Sequence, residues 1–253
     1  MRIVGLLALA AGAVVLFARQ GSADAVATIV DPSLDNADGY ELIVEYASQA
    51  ELPADWRDFL LAKAYIESRG NPLRGRGIAD GAPKNAQIVN DGNEARAAAQ
   101  AYDRQVERGA IVGSPWGKKS WSFGSGGLFA MLPANAVVVA YRNTPLQGVA
   151  EAYDPWSVFE PRKAIPLAVA YNRSLMRWQR FKNNPTWENL HAGWRAPGNM
   201  DAPESEGYRK SAANFREALN AMGIPQNFAQ RRVSLDGVPT GEELYITLNG
   251  AGS

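Results

Sequence analysis

The chain has no cysteine in its 253 residues. That single absence removes structural disulfides, thiolate zinc sites, cysteine nucleophiles and the acylated cysteine of a lipoprotein anchor. Histidine is nearly as scarce, with His191 the only one. One imidazole cannot build an HExxH metal site or a histidine-rich zinc centre, and it would leave a serine triad dependent on that single ring. Nor does "GSGG" around Ser125 form the G-x-S-x-G elbow that such a triad uses. His191 therefore reads as a structural or surface residue. An excess of one charge is missing too: 26 basic side chains stand against 26 acidic ones, which is no electrostatic footprint for nucleic acid. "GRGIADG" at 75–81 has the wrong spacing for a phosphate loop or a dinucleotide fingerprint, and the DGN at 91–93 lacks the alternating acids of an EF-hand. No metal and no cofactor are expected. Proton transfer by a carboxylate is the chemistry left standing.

What is present begins with the N-terminus. Arg2 is followed by sixteen uncharged residues from Ile3 to Ala18, then Arg19 and a small-residue Ala23-Asp24-Ala25 site. A cationic start, an apolar run and an A-x-A exit describe an export signal. The competing reading is a retained anchor, with residues 3–18 in contact with a membrane. Residues 1–27 are thus expected to be a signal peptide or an anchor.

Helical signals dominate the rest. "GYELIVEYASQAELPADWRDFLLAKAYIESRG" reads as two helices broken at Leu52-Pro53, with Gly70 at the second end. From Leu73 to Trp121 the pattern loosens around one good helix, "NEARAAAQAYDRQVERG", and the stretch reads as an inserted subdomain. After the glycine loop "SFGSGGLFAMLP" come further helices; in one, Leu167, Tyr171, Leu175 and Trp178 share a face. "SEGYRKSAANFREALNAMG" supplies a late helix closed by Gly223. In the tail, "RRVSLDG" and "ELYITLNG" alternate in period two and read as a short hairpin. The expected class is mainly α (α+β): one domain over 38–223, an insertion at 73–121, and a C-terminal extension at 224–253 carrying a β-hairpin.

One acid breaks the pattern of the second helix. At about 100° per residue, Trp56, Phe59, Leu60, Ala64 and Ile66 cover one face, and Glu67 falls near its middle. An acid pointing inward loses the solvation of its charged form, which favours the protonated carboxyl and makes it a proton donor at neutral pH. Lys63 lies on the same face, so the alternative is a structural pair between Lys63 and Glu67.

These residues resemble the soluble lytic transglycosylases and goose-type lysozymes. That family opens with a helix ending Glu-Ser-x-x-Asn-Pro, matched by Glu67, Ser68, Asn71 and Pro72. Its Gly-Leu-Met-Gln-x-x-Pro-x-x-Ala is matched in spacing by "GLFAMLPANA", Gly127 to Ala136. An Asp-Pro follows at Asp154-Pro155, a Pro-Gly-Asn at Pro197 to Asn199, and a closing Glu-x-x-x-Tyr at Glu204 and Tyr208. The chain departs from the family where glutamine has become Ala130, methionine Phe129, and the usual Tyr-Asn Gly193-Trp194. "AVAYN" at 168–172 lacks a following Gly-Pro-Gly and reads as a decoy.

The resemblance implies a lysozyme-like fold and a peptidoglycan lytic transglycosylase that cleaves between N-acetylmuramic acid and N-acetylglucosamine. Glu67 would act first as acid and then as base, leaving a 1,6-anhydro end because the substrate's own hydroxyl attacks. Ser68, Gly127, Leu128, Phe129 and Trp194 would line the sugar site. If water attacked instead, the enzyme would be a lysozyme, with Asp80 or Asp91 positioning that water. The partner implied is the peptidoglycan glycan strand, reached in the periplasm, from an inner-membrane anchor or from a virion. The departures leave open a catalytically weakened murein-binding or virion structural protein.

Overall fold

In the computed structural model, residues 37–75, 93–114, 117, 119–142 and 146–250 are described. These residues are mostly helical and contain no β-strand. Helix α1 spans Ala37–Gln49 and α2 Ala54–Ser68, broken at Leu52-Pro53 as the sequence expects. Helices α3 (Asn93–Glu107), α4 (Pro133–Tyr141) and α5 (Pro161–Leu175) follow. The short α6 (Gln179–Asn183), α7 (Trp187–Arg195), α8 (Glu206–Ala221) and α9 (Gly241–Asn249) complete the series.

Helix α2 is the axis of the core. Trp56, Phe59, Leu60, Leu61, Ala62 and Ala64 are all buried, so apolar residues cover it nearly all round rather than along one stripe. Helices α1 and α8 pack against it. Around its first half, the Trp56 ring meets Trp187 edge-on at 5.3 Å, Trp187 stacks on Phe228 at 5.3 Å, and Phe59 meets Phe215 at 5.9 Å. Truncating one such ring to alanine costs about 3–5 kcal/mol, because the rigid neighbours cannot fill the void. The approach of α1 to the end of α2 depends on Gly39, where a Cβ would collide with the Gly70 carbonyl oxygen.

Of the stretch at 73–121, the described helix α3 packs against this body. That helix packs on α4 and on the Ser120–Ser122 turn, and Ala99, Ala134, Trp121 and Val138 form a small apolar cluster of their own. Ser120 Oγ seals the join by reaching the Ala99 carbonyl and Asp103 Oδ1, each at 3.1 Å.

Two expectations need correction. The tail forms no hairpin. "ELYITLNG" lies in helix α9, where Thr240 Oγ1 accepts from Glu243 N and the Glu243 carboxylate accepts from Thr240 N in a reciprocal cap. Leu244 and Leu248, one turn apart, are buried by this winding. "RRVSLDG" keeps only an isolated bridge, Thr186 to Arg232. Trp178 does not share the buried face of α5 either, since that helix stops at Leu175 and leaves Trp178 50% exposed. Val233, Val238, Leu244 and Leu248 join the same core as Tyr40, so the tail is packed into the body.

Candidate active site

The end of α2 builds the site. Arg69 takes a left-handed φ of 56° and Gly70 one of 76°, and their N–H groups turn back to the Ala64 and Tyr65 carbonyls. This stop fixes Glu67 and Ser68 in the last turn. Ser68 Oγ lies 3.0 Å from the Ala64 carbonyl oxygen and 2.9 Å from that of Leu128, so its proton ties the helix end to the glycine loop. The loop is itself pinned: Gly127 N donates to the Arg74 carbonyl at 3.0 Å, and Gly126 pairs with Met131 in an antiparallel bridge. Gly127 has φ 75°, and a Cβ there would collide with the Val158 carbonyl oxygen. Only glycine fits that backbone and that approach. Three residues on, Ala130 holds a left-handed φ of 46°.

Glu67 points inward as the periodicity implies, and it is 5% exposed. Its carboxyl is enclosed by side chains of the described residues. Lys63, one turn earlier and wholly buried, donates from Nζ to Glu67 Oε1 at 3.1 Å. The same ammonium lies 3.3 Å from His191 Nδ1 and 4.5 Å from the centre of the Trp194 ring. Where Lys63 donates to both groups, His191 Nδ1 is an acceptor. The ammonium favours the ionised carboxylate while burial opposes it, so two opposed influences act on the one acid.

Helix α7 brings the second half of the cluster. Thr186 caps it by accepting from Asn189 N at 3.3 Å, and Glu188, His191 and Trp194 follow at spacings of three along one face. The buried Glu188 accepts from Arg216 at 2.9 Å and lies 3.4 Å from the Tyr208 hydroxyl, which fastens α7 to α8. His191 stacks on Phe215 at 4.9 Å. Trp194 is 7% exposed and Phe129 2%; their rings meet at 6.4 Å, so both are packed against protein. Leu128 is buried beneath the loop.

Of the residues singled out in the sequence, Glu67, Ser68, Gly127, Leu128, Phe129 and Trp194 therefore converge. Asp80 and Asp91 lie outside the described residues, as does the segment 1–27. Two participants were missed. His191 contacts Lys63, and the signal for it was its three-residue spacing from Trp194 on one helix. Tyr171, from the "AVAYN" stretch read as a decoy, meets Trp194 edge-on at 4.9 Å, with its hydroxyl 3.4 Å from the Trp194 carbonyl oxygen. No local signal marked that contact, because it joins α5 to α7.

No helix among the described residues is long and apolar enough to cross a membrane. Compared with known proteins, the chain matches no family model, no curated protein and no solved structure.

Proposed function

We propose that this chain is a murein lytic transglycosylase with a lysozyme-like fold, in which Glu67 is the general acid and then the general base. The observation that carries the reading is the bond between Ser68 and Leu128, 60 residues apart. It joins the acid-bearing end of α2 to the glycine loop, two of the elements on which the resemblance rests. In the reaction, protonated Glu67 gives its proton to the glycosidic oxygen as the bond between N-acetylmuramic acid and N-acetylglucosamine breaks. The resulting carboxylate takes the proton of the muramic acid 6-hydroxyl as that oxygen attacks C1. The 1,6-anhydro ring closes without water, so no second carboxylate is required.

The test is digestion of purified murein sacculi with mass spectrometry of the soluble fragments. Anhydro ends are expected; reducing ends would convert the reading to a lysozyme, and no fragments from folded protein would end it. Glu67→Gln removes the transferable proton and should lower turnover by about 10²–10⁴-fold or more. Near-normal activity in that variant would take the role away from Glu67.

A second reading is favoured by one specific feature, the buried pair between Lys63 and Glu67 under Trp194. A carboxylate held by an ammonium is a poor acid, which suits a murein-binding or virion structural protein that keeps the architecture without turnover. Binding of sacculi without release of fragments is its signature.

Either protein must reach murein, and residues 1–27 supply the route. We propose a periplasmic location, free or held by residues 3–18 at the inner membrane, or a place in a virion. Mass spectrometry of the mature chain distinguishes a start near Val26 from an intact Met1.

A further inference from the structure

The inserted stretch helps to build a concavity. A cavity of about 290 Å³ lies between α3 and its following loop on one side and the turn Pro155–Phe159 on the other. Its aromatic lining is Tyr102, Trp156 and Phe159, its charged lining Asp154 and Glu160, and among the described residues no basic side chain lines it. Ligand pockets commonly run about 300–1,000 Å³, so this one holds a single small group rather than a length of glycan.

The lining is held in place. Trp156 and Phe159 stack at 6.3 Å, and Phe123 braces them edge-on at 5.2 and 5.5 Å. The Tyr102 hydroxyl donates to the Val112 carbonyl at 3.1 Å, which closes the loop after α3 over the cavity. Tyr102 and Asp154 line the same cavity, where burial pushes that hydroxyl up to about 12 and the Asp154 carboxylate adds to the rise. Asp154 uses Oδ1 to cap the turn, accepting from Trp156 N at 2.8 Å and from Ser157 Oγ at 3.2 Å. The cap fixes the carboxylate and leaves its second oxygen outside those bonds. Glu160 holds Lys163 at 3.1 Å through Oε2, and its side chain stays 53% exposed.

Carboxylates and aromatic rings have one ligand preference in common. Both attract a cation, and both repel phosphate or another carboxylate. The exposed side chains of Leu73 and Val112 at the rim suit the methylene stem that carries such a cation.

We propose that this cavity binds a primary ammonium group, the side-chain amine of a murein stem peptide, between Asp154 and Glu160 and against the aromatic wall. The source of the amine rests on the murein reading; the preference for a cation does not. The inserted stretch then reads the peptide of the substrate while the end of α2 works on its sugar.

Calorimetry of the full chain with a muramyl tripeptide bearing a free side-chain amine tests this, against the same peptide acetylated at that amine. The free amine should bind at least tenfold more tightly. Asp154→Asn keeps a capping oxygen and removes the charge, and Glu160→Gln changes an exposed group. Each should erase most of the discrimination without altering the thermal melt. Equal affinity for both peptides, no binding of either, or variants that discriminate like wild type would overturn the proposal. Sacculus digestion by the same preparation separates the two readings. Discrimination without digestion refutes only the enzyme, and digestion without discrimination refutes only this site.

Discussion

Glu67 and Lys63 face each other across one helical turn with side chains 2% and 0% exposed, so neither charge has water to turn to if its partner is lost. Removing one member leaves the other charge buried. Lys63→Met should therefore destabilise the fold by about 3–5 kcal/mol. The double variant Lys63→Met/Glu67→Gln should regain most of that loss, because neither charge is then stranded. Urea unfolding of the two single variants and the double variant closes the cycle; a double variant as unstable as Lys63→Met would show that packing rather than charge is at stake. Ala130 makes the opposite case. Its φ of 46° is a conformation that a Cβ resists, so Ala130→Gly should raise stability by about 1 kcal/mol, read as an upward shift in Tm.

At the scale of elements, α5 and α9 depend on each other through a proline. Pro166 sits inside α5 and cannot donate to the Arg162 carbonyl one turn back. Asn249 Nδ2, at the end of α9, donates to that oxygen at 3.2 Å. Asn249→Ala leaves the carbonyl without this donor and should cost about 1 kcal/mol. Thr240→Ala removes the cap at the other end of α9 and should cost a similar amount. Additive losses in thermal melts would mean two independent ends, whereas a smaller combined loss would mean that α9 undocks as a unit. The same helix explains the mistaken hairpin. "ELYITLNG" alternates in period two, but Thr240 and Glu243 carry the Ser/Thr-x-x-Glu signature of a helix start, and the cap outweighed the alternation.

For the whole molecule, the tyrosines set a limit at alkaline pH. Tyr208 is pushed up to about 12, first by burial and then by the neighbouring Glu188. Its folded pKa lies above the unfolded value of about 10. The stability it contributes is therefore complete below about pH 10 and is lost as pH rises through 12. Urea midpoints measured between pH 9 and 12 should fall across that window, by about 2 kcal/mol for this group. Tyr208→Phe should flatten the fall, since a phenyl ring has no proton to lose; an unchanged slope would assign the effect elsewhere, with Tyr102, also raised to about 12, the next to test.

Local order along the chain was enough to set several features in advance. The break at Leu52-Pro53, the stop at Gly70, the inward turn of Glu67 and the helix closed by Gly223 each depend on contacts within a few residues, which the sequence states directly. The absence of cysteine and the single histidine restricted the chemistry before any fold was known. Tertiary structure decided what no short-range pattern carries. It set Lys63 between Glu67 and His191, 128 positions from the latter, brought Tyr171 against Trp194, and wound the tail into α9. Those outcomes depend on which helices pack together, because a buried charge takes its partner from whatever neighbour the packing supplies.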